Sequence, residues 1–219
     1  MNSDFLCGTP LFGGIKKEEI NGLLKCLNAF TKKYGKGEYI CRCGDTAENI
    51  GLVLSGAVII KNDDFWGNQS VLAHIAAGQV FAESYALIKN QPLLVDAVAA
   101  VKTEVLFING GKINSPCGNL CPCHKKITDN LLRISALKNV RLSRRILYTS
   151  SKTIRGRLMS FLSDEAREQG RRKITIPFDR QQLADYLNVE RSALCAQLSK
   201  MQKDGILEYH KNSFMLKTQ

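Results

Sequence analysis

A short segment in the middle of the chain concentrates side chains that can bind a metal. Cys117, Cys121, Cys123 and His124 lie within eight residues, and thiolate and imidazole groups are ligands of zinc and related metals. Together with Cys41 or Cys43, they could hold a metal or act as a thiol switch. No second closely spaced cysteine pair completes a familiar site. The alternative is a set of reduced cysteines that fill a small loop, with His124 capping a helix.

Catalytic chemistry has no comparable candidate. The sequence shows no paired carboxylates, no nucleophile beside a base and no phosphate-binding loop of the GxxxxGK type, so we do not expect an enzyme. No apolar run reaches the roughly 18 residues of a spanning helix, and Asp4 stands where a signal peptide would be basic. Eight cysteines in 219 residues are too sparse for a small secreted disulfide scaffold. We therefore expect a cytoplasmic protein with reduced thiols and no membrane contact.

The charge is distributed unevenly along the chain. Residues 1–124 carry eleven basic and eleven acidic side chains, residues 125–150 carry seven and one, and residues 151–219 carry thirteen and eight. The formal net charge of +11 therefore lies entirely in the second part of the chain. A basic module is typical of proteins that neutralise the phosphates of nucleic acids, although basic faces also occur on proteins that bind none.

Two helical segments in the basic part are spaced as a helix-turn-helix. The segments 180–187 and 190–203 share apolar positions that could interlock, and Asn188 stands at the corner, where a left-handed backbone is needed. Asp179 is placed to cap the first helix. The segments 206–209 and 214–216 predict a β-hairpin, and a helix over 152–168 with a strand over 174–176 precedes the pair. This pattern predicts a winged helix-turn-helix.

The exposed half of the second helix is the part that would enter a major groove. Arg191 is the candidate for base contact, because a guanidinium can donate two hydrogen bonds to guanine. Gln181, Ser192 and Lys200 are candidates for phosphate contacts, which position a helix without reading sequence. Arg180, Glu190 and Ala196 complete the predicted DNA-binding set, and Cys195 is given only a packing role.

The first part of the chain has a different pattern. Short apolar runs separated by Gly, Asn and Asp extend from Glu38 to about Ile113 and predict antiparallel strands in a barrel or roll, at 51–54, 58–61, 71–75, 93–100 and 104–108. Residues 11–34 predict one or two small helices. From Lys125 to about Thr149, apolar residues recur at spacings of three and four, which predicts one long amphipathic helix. Its apolar surface is wider than one stripe, so a symmetric dimer partner is expected.

The segment FDRQQLADYLNVERSALCAQLSKMQKDGIL resembles the helix-turn-helix of the Crp/Fnr family of bacterial transcription regulators. The order of parts is also similar to that family over essentially the whole chain. The resemblance implies an α+β fold with an N-terminal antiparallel, jelly-roll-like β-roll, a long dimerisation helix and a C-terminal winged helix-turn-helix. The corresponding domains are 1–124, 125–149 and 150–219. It also implies a homodimer that binds a palindromic site in double-stranded DNA and responds to a small-molecule or redox effector, with RNA polymerase as a further candidate partner.

The same resemblance places an effector pocket at residues 78–87 and 92–97. Glu83 matches the glutamate that holds the ribose of a cyclic nucleotide, and Phe81 and Ser84 flank it. Ten residues further on, members that bind cyclic nucleotides have an arginine for the phosphate, whereas this chain has Leu93, followed by Leu94. An apolar pair cannot neutralise a phosphate. The effector is therefore unknown, with a cyclic nucleotide disfavoured and a metal or redox signal at the cysteines as the alternative.

Two other readings of the basic part remain to be tested. A protein-interaction module would use the same pair of helices, but it would show little salt dependence and no affinity for duplexes. RNA binding is disfavoured because the basic part has no aromatic platform on which bases could stack.

Overall fold

The computed structural model describes residues 3–63, 69–88, 90–114 and 122–217. The chain forms two compact units, Met1–Ala136 and Leu137–Gln219. One long helix contributes its first half to the N-terminal unit and its second half to the C-terminal unit. Within the described residues, no helix is both long enough and apolar enough to cross a membrane.

The described part of the N-terminal unit contains two antiparallel four-stranded sheets, in the orders β1-β8-β3-β6 and β2-β7-β4-β5. This is the predicted β-roll. Its strands are β1 (Phe30–Tyr34), β2 (Tyr39–Cys41), β3 (Asn49–Ser55), β4 (Ala57–Asp63), β5 (Gln69–Ala76), β6 (Val80–Phe81), β7 (Asp96–Ala99) and β8 (Thr103–Asn109).

Strand β8 lies between the two hydrophobic cores of the N-terminal unit. Its four consecutive residues Val105, Leu106, Phe107 and Ile108 are all buried, as expected for a strand covered on both faces. Val105 and Phe107 belong to the core between the two sheets, whereas Leu106 and Ile108 belong to a second core formed with helices. The period of two along a strand sends alternate side chains to these two cores.

Four short helices accompany the sheets: α1 (Ser3–Cys7), α2 (Lys17–Cys26), α3 (Glu83–Leu87) and α4 (Gly110–Asn114). Helices α1 and α2 cover the outer face of the first sheet, where Leu6, Ile20 and Leu24 join its core. Two glycines allow close approach within the roll. A Cβ on Gly51 would stand 2.3 Å from Cζ of Phe81, and Gly56, at φ 80°, turns the chain beside Thr103.

The long helix α5 runs from Pro122 to Ser150. Ile127 and Leu131 are buried in the N-terminal unit, where Asn130 Nδ2 donates to the carbonyls of Leu11 and Gly13 at 3.0 and 2.9 Å. In the C-terminal unit, Tyr148 is buried against Phe161, with ring centroids 5.6 Å apart. The two halves of one helix therefore belong to different cores.

The C-terminal unit has a single core, surrounded by three further helices and a three-stranded sheet of order β10-β11-β9. Its elements are α6 (Ile154–Gln169), β9 (Lys173–Thr175), α7 (Arg180–Leu187), α8 (Arg191–Lys203), β10 (Leu207–His210) and β11 (Ser213–Leu216). Helix α6 is capped by Thr153, whose hydroxyl accepts from the Gly156 amide, and it ends at Gly170, which is left-handed. This arrangement is a winged helix-turn-helix.

The predicted fold class is confirmed, with differences in detail. Residues 30–34 were expected to be helical and instead form strand β1, which pairs with β8 along all five residues. In this edge strand Tyr34 alone is buried, so the segment has no alternating apolar pattern to indicate a strand. The strand expected over 93–100 begins only at Asp96, which leaves Leu93 and Leu94 in the preceding loop. Helix α5 begins at Pro122, so Cys123 and His124 lie in its first turn instead of before it.

Candidate nucleic-acid interface and effector site

The corner between α7 and α8 has the geometry that its sequence requires. Asp179 accepts a hydrogen bond from the Gln182 amide at 2.8 Å, and the Gln182 side chain accepts one from the Asp179 amide at 2.9 Å. These reciprocal bonds form a capping box at the start of α7. Asn188 ends the helix in the left-handed region, at φ 52° and ψ 56°. The sequence predicted both the cap and the left-handed corner.

The two helices lock together through apolar side chains. Leu183, Ala184 and Leu187 from α7 are fully buried, as are Leu194 and Leu198 from α8. Ala184, the smallest of these side chains, lies inside this core. The packing leaves the opposite side of α8 at the surface.

That exposed side carries most of the predicted DNA-binding residues. Arg191, Ser192, Ala196 and Lys200 are all exposed. Their spacing along a helix places Ser192 and Ala196 near the middle of the side, with Arg191 and Lys200 at its two flanks. Within the described residues, neither Arg191 nor Lys200 makes a hydrogen bond or an ion pair. Both cations are therefore available to an external anion or base.

Glu190 has a structural use that the sequence analysis did not assign. It is the cap residue of α8: its carboxylate accepts from the Ala193 amide at 2.9 Å and from the Ser192 hydroxyl. The Ser192 hydroxyl first, and then the two backbone amides, hold the pKa of Glu190 below its usual range. The sequence carried a signal for this role, because Glu190 stands immediately before a predicted helix and an acidic residue there can cap it. Glu190 therefore organises the helix start from which Arg191 projects.

Arg180 and Gln181 also have partners within the unit. The Arg180 guanidinium donates to the Lys211 carbonyl in the wing turn and lies 4.9 Å from the ring centroid of Tyr209. Gln181 Nε2 donates to the Asp185 carboxylate at 2.9 Å. Arg180 thus ties the start of α7 to the wing. A phosphate contact by Gln181 and a DNA contact by Arg180 stay predictions.

Two arginines that the sequence analysis did not single out bind the other end of α7. Arg145 and Arg157 donate to backbone carbonyls of residues 185–188. No local pattern could have revealed these contacts, since donor and acceptor are 30 to 41 residues apart in the chain. Part of the basic excess of residues 125–219 therefore serves the fold itself.

The predicted effector residues lie in the roll in two distinct environments. Phe81 and Glu83 are buried, and Ala82 between them is left-handed at φ 60°. Leu93 is 4% exposed and its amide donates to the Asp45 carbonyl at 2.8 Å, whereas Leu94 is 66% exposed. Ser84 is exposed. Leu93, which the family resemblance aligns with the phosphate-binding arginine, is thus a buried apolar side chain.

A second buried carboxyl group lies close to this segment in the chain. Asp96, at the start of β7, is buried and accepts from the Cys43 amide at 2.8 Å. Glu83 and Asp96 give this part of the roll two buried acidic residues.

The predicted metal cluster is covered only in part by the structure. Cys117 and Cys121 lie outside the described residues. Cys123 and His124 are buried. The hydrogen bond from the Lys16 amide lowers the pKa of Glu19, and the Cys123 thiol, which interacts with the same carboxylate, lowers it further. Among the described residues, no three His, Cys, Asp or Glu side chains form a group that could hold a metal. The metal site stays a prediction.

The two other candidate ligands, Cys41 and Cys43, lie at and just after the end of β2. Cys43 is exposed and Cys41 is partly buried. Burial, with a smaller contribution from Asp45, raises the pKa of Cys41 to about 11. Because the thiolate is the form that binds metals and reacts, this raised pKa argues against a reactive role for Cys41.

Comparison with known proteins agrees with both units. Residues 31–117 match the family model of the cyclic nucleotide-binding domain, and residues 156–217 match that of the Crp-like helix-turn-helix domain. The chain belongs to the Crp/Fnr family of transcription regulators. A relative in Thermus thermophilus, the cyclic AMP receptor protein, is 32% identical over 102 residues. That match spans 46% of this chain and 45% of the relative, so it covers less than half of either.

Solved structures support the fold of this Crp/Fnr regulator. The c-di-GMP-responsive global regulator CLP of Xanthomonas campestris has 19% identity and a TM-score of 0.63, covering 93% of this chain and all of that one. CprK in complex with OCPA has 13% identity and a TM-score of 0.69, covering 91% of each chain. At these identities the likeness establishes the fold alone.

Proposed function

We propose that this chain is a sequence-specific DNA-binding regulator that acts as a cytoplasmic homodimer and reads DNA with α8. The observation that carries the proposal is the exposed side of α8, where Arg191 and Lys200 are exposed cations on a helix held rigidly by its caps and core. A helix presented in this way fits the major groove. Arg191 reads a base and Lys200 contacts phosphate, while Ser192 and Ala196 lie between them against the base edges.

The second half of the proposal, dimerisation, is supported by α5. Leu132, Val140, Leu142, Ile146 and Leu147 are each 50% to 70% exposed. Their helical spacing spreads them over a wide band of the helix, beside and opposite the positions of Ile127, Leu131 and Tyr148, which pack into the two units. A row of large exposed apolar side chains on a long helix is best covered by the same row of a second copy. Two copies of α8 would then meet half-sites about one helical turn, roughly 34 Å, apart.

The DNA-binding proposal is tested by selection from a random pool of duplexes with the purified full-length protein. Selected duplexes are then titrated by fluorescence anisotropy at about 50 and 200 mM salt. Neutralisation of 6–10 phosphates predicts that affinity falls on the order of a thousandfold or more between these salt concentrations. A protein-interaction module would enrich no duplex sequence and would show no such salt dependence.

The roll is proposed to hold an effector other than a cyclic nucleotide. The support comes from Leu93, a buried apolar residue at the position where the family resemblance calls for a phosphate-binding arginine. An effector shifts the population between two arrangements of the dimer and thereby the reach of the two α8 helices. Calorimetric titration with cyclic AMP and cyclic GMP should give no saturable heat at micromolar concentrations. Micromolar affinity for either nucleotide would contradict this part of the proposal.

A further inference from the structure

The end of α7 is held by two arginines that come from two different helices. Arg145, on α5, donates from Nε to the Tyr186 carbonyl and from Nη2 to the Asp185 carbonyl, both at 3.0 Å. Its guanidinium carbon also lies 5.5 Å from the ring centroid of Tyr186. Arg145 therefore binds α7 in one defined orientation, through both branches of its planar group.

Arg157, on α6, binds the next two carbonyls of the same segment. Its Nη1 donates to Leu187 at 3.1 Å and to Asn188 at 2.7 Å, and its Nε donates to the Ser151 carbonyl at 2.9 Å. Ser151 directly follows the last residue of α5. Arg157 therefore connects the end of the long helix to the corner of the helix-turn-helix.

The chemistry explains why these contacts are strong. The last four carbonyls of a helix have no partner within the helix, and the helix dipole makes this end partially negative. Here the carbonyls of Asp185, Tyr186 and Leu187 at the helix end and of the cap residue Asn188 all accept from a guanidinium, and the Asp185 carbonyl also accepts from the Asn188 amide. Charge-assisted hydrogen bonds are about twice as strong as neutral ones. The other end of α7 is tied to the wing by Arg180. The corner before α8 is thus set by cations from α5 and α6, and not by the corner residues alone.

We propose that Arg145 and Arg157 are positioning residues that fix the direction of α8 relative to α5 and thereby set the half-site spacing that the dimer accepts. This inference rests on the proposed DNA-binding function. Any reorientation of the end of α5 moves Arg145 directly and Arg157 through Ser151, so both arginines transmit it to the carbonyls next to the recognition helix. Neither guanidinium needs to touch DNA for this role.

The experiment measures spacing preference with the full-length protein. The site obtained by duplex selection is rebuilt with its half-sites moved apart or together by one and two base pairs, and a duplex with one half-site is included. Fluorescence anisotropy gives the Kd of each duplex for the wild type, Arg145→Met and Arg157→Met. Arg141→Met is the matched control, because Arg141 lies one turn from Arg145 on the same helix, is exposed and makes no hydrogen bond within the described residues.

We expect the wild type and Arg141→Met to discriminate strongly between the selected spacing and the shifted ones. In Arg145→Met and Arg157→Met that discrimination should fall on the order of tenfold, which corresponds to the loss of one charge-assisted hydrogen bond or more. Affinity for the single half-site should stay within about twofold of that of Arg141→Met, because neither arginine touches DNA in this role. Arg145→Lys keeps the charge without the fork and should be intermediate.

Three results would overturn the inference. One is an unchanged spacing preference in both variants. Another is an equal loss of affinity for every duplex, including the duplex with a single half-site. That result is expected if the arginines only stabilise the fold. If circular dichroism shows that a methionine variant is unfolded, Arg145→Lys and Arg157→Lys are measured in its place. Unchanged spacing discrimination in these lysine variants is the third result. Failure of the wild type to select any duplex would instead refute the proposed function, and the inference with it.

Discussion

The roll and the helix-turn-helix unit place their charged side chains in opposite ways. In the roll, the carboxyl groups of Glu83 and Asp96 are buried, and so is Leu93, which the family resemblance aligns with a phosphate-binding arginine. In the C-terminal unit, Arg191 and Lys200 stay exposed on α8, while Arg145 and Arg157 bind helix carbonyls. One unit therefore presents cations at its surface, whereas the other holds acidic side chains in its interior. The two units of one chain thus use charge in different ways.

The largest effect is expected from substitutions in the two cores, because each unit should depend on its own core for stability. Phe161 is 1% exposed and contacts the rings of Tyr148 and Tyr186 at 5.6 and 5.5 Å. Phe161→Ala should lower the free energy of unfolding of the C-terminal unit by about 3–5 kcal/mol. Hydrogen exchange followed by mass spectrometry should show lost protection in α6 and α8, with β3 and β8 unaffected. Phe12→Ala, in the helix-side core of the roll, should give the reverse pattern, and equal loss in both units would contradict two independent cores.

A second test concerns Cys41, the partly buried thiol of the roll. With its pKa raised to about 11, Cys41 stays a neutral thiol at pH 8 and forms thiolate only as the pH approaches 11. At pH 8 its thiolate fraction should be roughly a hundredfold smaller than that of a thiol of pKa 9, and because a thiolate of higher pKa is more nucleophilic, its alkylation by iodoacetamide should be slower on the order of tenfold. Timed labelling read by mass spectrometry of the Cys41 peptide measures this rate. Labelling at pH 8 as fast as in a denatured sample would show that Cys41 is reactive, and would favour a thiol function in the roll.

A third test separates base reading from phosphate contact on α8. Arg191→Ala should weaken binding to the selected duplex by about 1–3 kcal/mol, on the order of tenfold to a hundredfold, with a smaller loss on unrelated duplexes. Lys200→Ala should weaken both similarly and reduce the salt slope by about one. Anisotropy titrations of the two variants on the two duplexes measure these differences. Equal loss on both duplexes for Arg191→Ala would show that it contacts phosphate only.

The smallest effect is expected at the corner itself. Asn188 is left-handed, a conformation that costs an ordinary side chain about 1 kcal/mol and that glycine adopts without strain. Asn188→Ala should therefore lower the stability of the C-terminal unit by roughly 1 kcal/mol, while Asn188→Gly should leave it nearly unchanged. Denaturant unfolding of the two variants measures this difference. Equal stability of the two would mean that the corner relaxes out of the left-handed region.

The amino-acid sequence by itself determined the features that depend on near neighbours in the chain. The cap at Asp179, the left-handed Asn188, the two helices and the long helix α5 all follow from local spacing and propensity, and the structure has them within a few residues. The split of charge along the chain also follows from the sequence alone. The exposed side of α8 could be predicted because helical periodicity separates it from Leu194 and Leu198.

Only the tertiary structure decided which charged residues remain available. Arg145, Arg157 and Arg180 look like the other cations of the basic part, yet each binds a carbonyl distant in sequence, whereas Arg191 and Lys200 stay exposed. The edge strand β1 and the burial of Leu93 likewise depend on partners far along the chain. A residue's type and spacing determine what chemistry it can perform, but its neighbours in space determine whether its polar groups are already satisfied within the fold.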